Sequence, residues 1–144
     1  MIQYLKVYLF AFASILVLLS SCAKEEPAKK ELNISGTIQI DPALKDKSDE
    51  KDTIFLIAKP ATGGPPVAVI KFLGNHYPYP YHLTMENLMT ADSQLDVPLN
   101  LSVRVDKDGD AMTKQPGDLL GVYDKNPVPL QADTINITLT DILK

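Results

Sequence analysis

The sequence is governed by apolar residues that recur at every second position in runs of five to eight, each run closed by glycine, proline, asparagine or aspartate. Period-two alternation is the spacing of a strand with one buried face, and it is incompatible with the 3.6-residue stripe of a helix. In "LNISGTIQI" Leu32, Ile34, Ile38 and Ile40 share one face with Gly36, while Asn33, Ser35, Thr37 and Gln39 share the other. "LNLSVRVD" alternates through Leu99, Leu101, Val103 and Val105, and "TINITLT" repeats the pattern through Ile135, Ile137 and Leu139.

Two runs depart from strict alternation. "TIFLIAKP" from Thr53 and "PVAVIKFL" from Pro66 are apolar on both faces, as expected of strands central to a packed sheet. "ATGGPP" between them supplies a turn. "PYPYHLTMENLM" gives a further strand over about residues 81–85, and residues 119–122 a short one. "NLMTADSQL" can give at most one or two helical turns, and no helical period is sustained after residue 21. The reading is a single all-β domain, an immunoglobulin-like β-sandwich of about seven strands over residues 33–144. A domain of this size buries enough apolar surface to stand without disulfides.

The first 21 residues have another character. A short start carrying Lys6 leads into the apolar "YLFAFASILVLL" of residues 8–19 and then small residues, the layout of an export signal. The run is short for a bilayer span, which takes roughly 20 apolar residues. Leu19, Ser20, Ser21 and Cys22 form "LSSC", which resembles a bacterial lipoprotein lipobox. That resemblance implies cleavage between Ser21 and Cys22, with Cys22 carrying lipid, palmitate included, on its sulfur and amino group. A single acyl chain holds a protein to a membrane only marginally, so a diacylglyceryl cysteine is a suitable anchor. Cys22 is the chain's one cysteine and has no disulfide partner. Residues 22–32 are the lipidated cysteine and a charged tether, "AKEEPAKKE" being too polar to bury.

Cleavage removes one basic residue, so the mature chain is more acidic than the full chain's formal charge of −4. Nucleic acid and anionic lipid headgroups are therefore poor partners for the body of the protein.

"ISGTIQIDPAL", "TIFLIAKPATGGPPVAVIKF" and "DGDAMTKQPGDLLG" occur in that order, and together resemble the C-terminal periplasmic domain of the cytochrome c maturation protein CcmI/CycH. The resemblance runs over nearly all of residues 34–140. Lys59 and Lys71 stand where the family usually has arginine. The membrane helices and tetratricopeptide repeats that accompany the domain in that family are not found in this sequence. Those repeats are the part credited with holding apocytochrome c, so the resemblance transfers no partner-binding residue directly.

Several side chains are candidates for a site. Asp106, Asp108 and Asp110 imitate the first three ligands of a calcium loop, but Ala111 stands where the turn glycine belongs and Gly117 where the bidentate glutamate belongs. The segment reads instead as a solvated hairpin. His76, His82, Met85 and Met89 are side chains that ligate haem iron or copper. His82 and Met85, three apart on one strand, would face opposite ways, with Met85 in the core and His82 at the surface. Tyr77, Tyr79 and Tyr81, interleaved with prolines, are either a docking patch for a partner or a crossover that covers the sandwich edge. There is no haem-attachment C-x-x-C-H, and no nucleophile, zinc-protease or phosphate-loop motif. No cofactor is implied and no enzymatic activity is expected.

The expected function is that of a membrane-anchored periplasmic accessory module in c-type cytochrome biogenesis, contacting an apocytochrome or a maturation factor. The alternatives are a haem- or copper-carrier lipoprotein and a structural envelope lipoprotein. Ala23, rather than aspartate, follows Cys22, and by the lipoprotein sorting rule this places the protein at the outer membrane.

Overall fold

The computed structural model describes residues 30–93, 95–110 and 113–144. Nine strands are present among them: β1 (Asn33–Ile40), β2 (Thr53–Pro60), β3 (Ala68–Leu73), β4 (Tyr79–Thr84), β5 (Leu99–Asp106), β6 (Leu119–Val122), β7 (Gln131–Ala132), β8 (Ile137–Leu139) and β9 (Asp141–Ile142). They form two sheets. In the first, β1 pairs antiparallel with β4 on one side and parallel with β7 and then β8 on the other. In the second the order is β3-β2-β5-β6-β9, antiparallel throughout. The all-β sandwich expected from the alternation is the fold observed, with two short strands more than the alternation resolves.

The inward residues anticipated on β1 and β5 are buried, among them Ile34, Ile38, Leu101, Val103 and Val105, each 0 % exposed. They meet Ile54, Leu56, Leu83, Leu119, Ile137 and Leu139 in one continuous core. Leu32, the last residue assigned to the tether, is in that core as well.

Gly36 sits inward on β1 opposite Tyr81, and a methyl group there would lie 1.9 Å from the carbonyl oxygen of Ile135. The position is glycine because a neighbouring backbone occupies the side-chain space. That backbone belongs to the gap between β7 and β8, where the start of the strand expected from Thr134 is not in strand conformation. Thr134 takes φ 61°, dividing β7 from β8. The Ile135 amide donates to the Ser35 carbonyl, and Asn136 Oδ1 accepts from the amide and hydroxyl of Thr37, restoring the hydrogen bonds that the gap interrupts.

The final strands belong to different sheets. β8 pairs with β1, and two residues later β9 pairs with β6. The Thr140 amide between them donates to Leu120. This crossing closes one side of the sandwich and brings β6 so near that a methyl on Gly121 would be 2.4 Å from the Thr138 carbonyl oxygen.

β2 is central, as its two apolar faces suggested, but β3 is an edge strand. Ile70 and Phe72 of β3 pack on the core, while Val69, Lys71 and Leu73 face outward. Its second apolar face therefore needs another explanation.

Candidate functional site

β3 and β4 belong to different sheets, and the chain passes between them through residues 74–78. The turn gathers aromatic rings. Phe72 and Tyr79 have centroids 5.4 Å apart, and Tyr77 meets Tyr79 edge to face at 5.2 Å. The Tyr79 hydroxyl donates to the Leu73 carbonyl and accepts from the His76 amide, which fixes the turn from within. Asn75 donates to the carbonyl of Ser48, and the Ser48 and Tyr77 hydroxyls lie 3.4 Å apart, joining the turn to the segment before β2. Burial pushes the Tyr77 hydroxyl up to about 12. Beside these half-buried rings Leu73 is 66 % exposed, the largest exposure of any large apolar side chain among the described residues. The result is a rigid aromatic corner with an exposed aliphatic tip and His76 at its edge. Such rings offer contact area at small entropic cost.

Tyr81 does not join this corner. It is 6 % exposed, and its hydroxyl donates to the Ile135 carbonyl at 2.7 Å. Alternation decides the matter, because Tyr79, Tyr81 and Leu83 all point inward from β4, and only Tyr79 lies close enough to the strand end to reach the surface. Burial also pushes the Tyr81 hydroxyl upward. The expected surface is thus reduced to Tyr77 and Tyr79, completed by Phe72 and Leu73, which sequence reading assigned to a strand without function.

The candidate metal and haem ligands fall in three places. His76 is at the aromatic corner, and Met89 lines a groove across β2 and β3. His82 and Met85 line one shallow cleft with Glu31, Asn33 and Glu86. β4 ends at Thr84, so Met85 falls in a short 3-10 turn, Met85–Asn87, and the opposite-face argument for the pair does not apply. Met85 is also 37 % exposed rather than in the core, where its sulfur accepts the Leu32 amide at 3.3 Å. His82 is exposed as expected, with Nε2 2.7 Å from Asn33 Oδ1. Among the described residues no three of histidine, cysteine, aspartate and glutamate are grouped to hold a metal ion.

The aspartate-rich hairpin is only half solvated. Asp108 and Asp110 are exposed, whereas Asp106 and Asp118 are buried at 0 % and 1 %. Asp118 accepts the amides of Lys107 and Gln115, bracing the hairpin across its base. Asp106 pairs with Arg104 at 3.1 Å. Burial, reinforced by the Asp108 side chain and opposed by the Gly109 amide, raises the Asp106 carboxyl above the usual carboxylate range. These carboxylates are internal supports of the hairpin.

The groove that contains Met89 was not anticipated. It holds about 910 Å³ and is lined by Phe55, Ile57, Val67, Val69 and Val97 with prolines 60, 65 and 66. It accounts for the outward apolar face of β3. The signal was present in "TIFLIAKP" and "PVAVIKF", where apolar residues on both faces mark either a central strand or a binding surface.

Ser21 and Cys22 lie outside the described residues. No described helix is long and apolar enough to cross a membrane.

The family model described as the cytochrome c-type biogenesis protein H Ig-like domain matches residues 34–140. Among solved structures, an alternative pilotin from the type II secretion system of Vibrio cholerae is similar at 11 % identity and a TM-score of 0.48, over 78 % of this chain and 99 % of the pilotin chain. No curated protein matches the sequence.

Proposed function

Because the chain belongs to the cytochrome c-type biogenesis protein H Ig-like domain family over residues 34–140, we propose that it is an accessory binding module of c-type cytochrome biogenesis. It is held by lipid on Cys22 at the periplasmic face of the outer membrane and contacts an apocytochrome or a maturation factor. The family match is the observation that carries this reading.

The aromatic corner is the surface proposed for that contact. Protein interfaces are enriched in aromatic anchors set in ordered surroundings. Leu73 supplies an exposed aliphatic group, and Phe72, Tyr77 and Tyr79 are held in place by mutual packing and by hydrogen bonds to Leu73, His76 and Ser48. A partner therefore meets a surface that needs little ordering on binding. His76 and Met89 lie apart from the cleft that His82 and Met85 share, so the four candidate ligands do not form one haem or copper site.

Deleting the gene tests the proposal. Haem-stained c-type cytochromes should fall while their transcripts persist, and the lipidated protein should capture cytochromes or their assembly factors from membrane extract. Normal haem staining in the deletion strain would remove the proposal.

A further inference from the structure

The groove across the outer face of β2 and β3 is separate from the aromatic corner. Phe55 and Ile57 of β2 and Val69 of β3 form its floor, the β2–β3 hairpin forms one wall, and Met89, Thr90, Ser93, Asp96 and Val97 form the other. From Phe55 to Pro60 it extends about 17 Å at the rise of an extended strand. Its 910 Å³ falls in the range of roughly 300–1,000 Å³ usual for small-molecule sites.

Thr90, Ser93 and Asp96 of the lining already have partners. Thr90 and Ser93 lie hydroxyl to hydroxyl at 3.1 Å, and Ser93 also donates to the Val67 carbonyl, which accepts the Met89 amide as well. Asp96 is paired with Lys30 at 2.7 Å. An extended peptide laid here would leave its own amides without partners, whereas a hydrocarbon chain requires none.

One end of the groove is cationic. Lys71 and Arg104 stand opposite Phe55 on its two neighbouring strands, with Lys71 Nζ 6.0 Å from the ring centroid. Arg104 is committed to Asp106 and to the Asp110 carbonyl, but Lys71 is exposed. The body as a whole is acidic, at a net charge of −4 for the full chain, so the match is local: an apolar groove ending at the exposed Lys71 ammonium suits an aliphatic chain with an anionic head.

Lys30, three residues before β1, pairs with Asp96 on the rim of the groove. Cys22 is eight residues upstream, at most about 28 Å away when extended. A body anchored through Cys22 keeps the groove close to the bilayer.

We propose that the groove on the outer face of β2 and β3 binds a single-chain anionic lipid, of fatty-acid class, drawn from the membrane to which the protein is tethered, with the aliphatic chain on Phe55, Ile57 and Val69 and the carboxylate at Lys71. The inference rests on the anchored reading only for the source of the lipid.

Photo-crosslinking tests it. The full-length protein in its native membranes is exposed to a diazirine analogue of palmitate, and crosslinked peptides are mapped by mass spectrometry. Crosslinks should concentrate on the peptides carrying Ile57, Val69 and Met89 and be competed by palmitate more strongly than by hexadecanol. Val69→Asp should reduce them at least tenfold, and Lys71→Glu, at an exposed position, about fivefold, with thermal unfolding of both variants unchanged. Crosslinks spread over the surface, indifference to both substitutions, equal competition by the uncharged alcohol, or a protein segment seated in the groove would each overturn the inference. The intact mass of the mature protein reports acylation of Cys22 separately, so an unacylated protein that still crosslinks at the groove refutes the anchor and not the site.

Discussion

Gly36, Tyr81 and the Ile135 carbonyl meet at one point in the core, and each is explained by the other two. The absent side chain lets the Ile135 backbone approach, and the Tyr81 hydroxyl satisfies the carbonyl that approach buries. Gly36→Ala places a methyl 1.9 Å from that oxygen, against backbone that cannot rotate away. We expect a loss of about 2–3 kcal/mol, the usual scale of overpacking. Tyr81→Phe should cost about 1–2 kcal/mol, because it leaves a buried acceptor unpaired. Chemical denaturation of both variants measures the two losses. The sequence placed Gly36 on the inward face but could not reveal its neighbour, which lies 99 residues away along the chain. For the same reason it grouped Tyr81 with Tyr77 and Tyr79 as docking patch or edge cover, although it opened a strand at Tyr81, because the partner of its hydroxyl lies 54 residues away. Asp106 was likewise read as part of a solvated hairpin; its partner Arg104 is only two residues away, and what the sequence does not show is the burial that makes the pair internal.

Tyr77 gives a pH dependence at the same scale. Its folded hydroxyl is raised to about 12 from 10.0, first by burial. The unfolded state therefore ionises first as the solution becomes alkaline. This contribution to stability is complete below pH 10 and is lost as the pH rises toward 12. The denaturation midpoint should hold steady up to about pH 10 and then fall, and Tyr77→Phe should make the fall shallower.

At the scale of elements, alternation specified β1 and β5 almost completely, because each has one buried face and a slip by one residue would reverse it. β3 was the harder case. Its outward Val69 resembles the second face of a central strand, and the strand order alone shows that it lines a groove at an edge. The end of the chain was harder again, since "TINITLT" reads as one strand, of which β8 keeps only Ile137–Leu139, while the short β7 and β9 on either side of it were not read and β9 joins the other sheet. β9 contributes backbone hydrogen bonds between Leu143 and Asp118 and between Gly117 and Leu143. Removing residues 141–144 should lower stability by about 1–3 kcal/mol at roughly 1 kcal/mol per net hydrogen bond. It should also raise hydrogen exchange selectively in β6, which would become the sheet edge, while exchange in β2 and β5 stays slow.

For the whole molecule, fold class and family were legible because both rest on patterns spread along the chain, and neither depends on any single contact. The binding surfaces were legible in part, because a surface is assembled from segments whose relative placement only the fold supplies. Tyr77 and Tyr79 were found by composition, Leu73 and the apolar groove by structure. The proposed anchorage belongs to the mature chain as a whole. Cys22→Ser should abolish acylation, so that intact mass shows no lipid on the variant while calorimetry finds its thermal unfolding unchanged.

In the function proposed for it, this body of strands serves cytochrome c biogenesis by presenting its aromatic corner to a partner. Haem staining of c-type cytochromes in a strain whose only copy carries Leu73→Asp and Tyr79→Ala tests this most directly, with the protein's level and anchorage checked by immunoblot of the membrane fraction. Haem-stained cytochromes should fall to the level of the deletion strain while the variant protein persists in the membrane. Undiminished staining with the corner removed would contradict it.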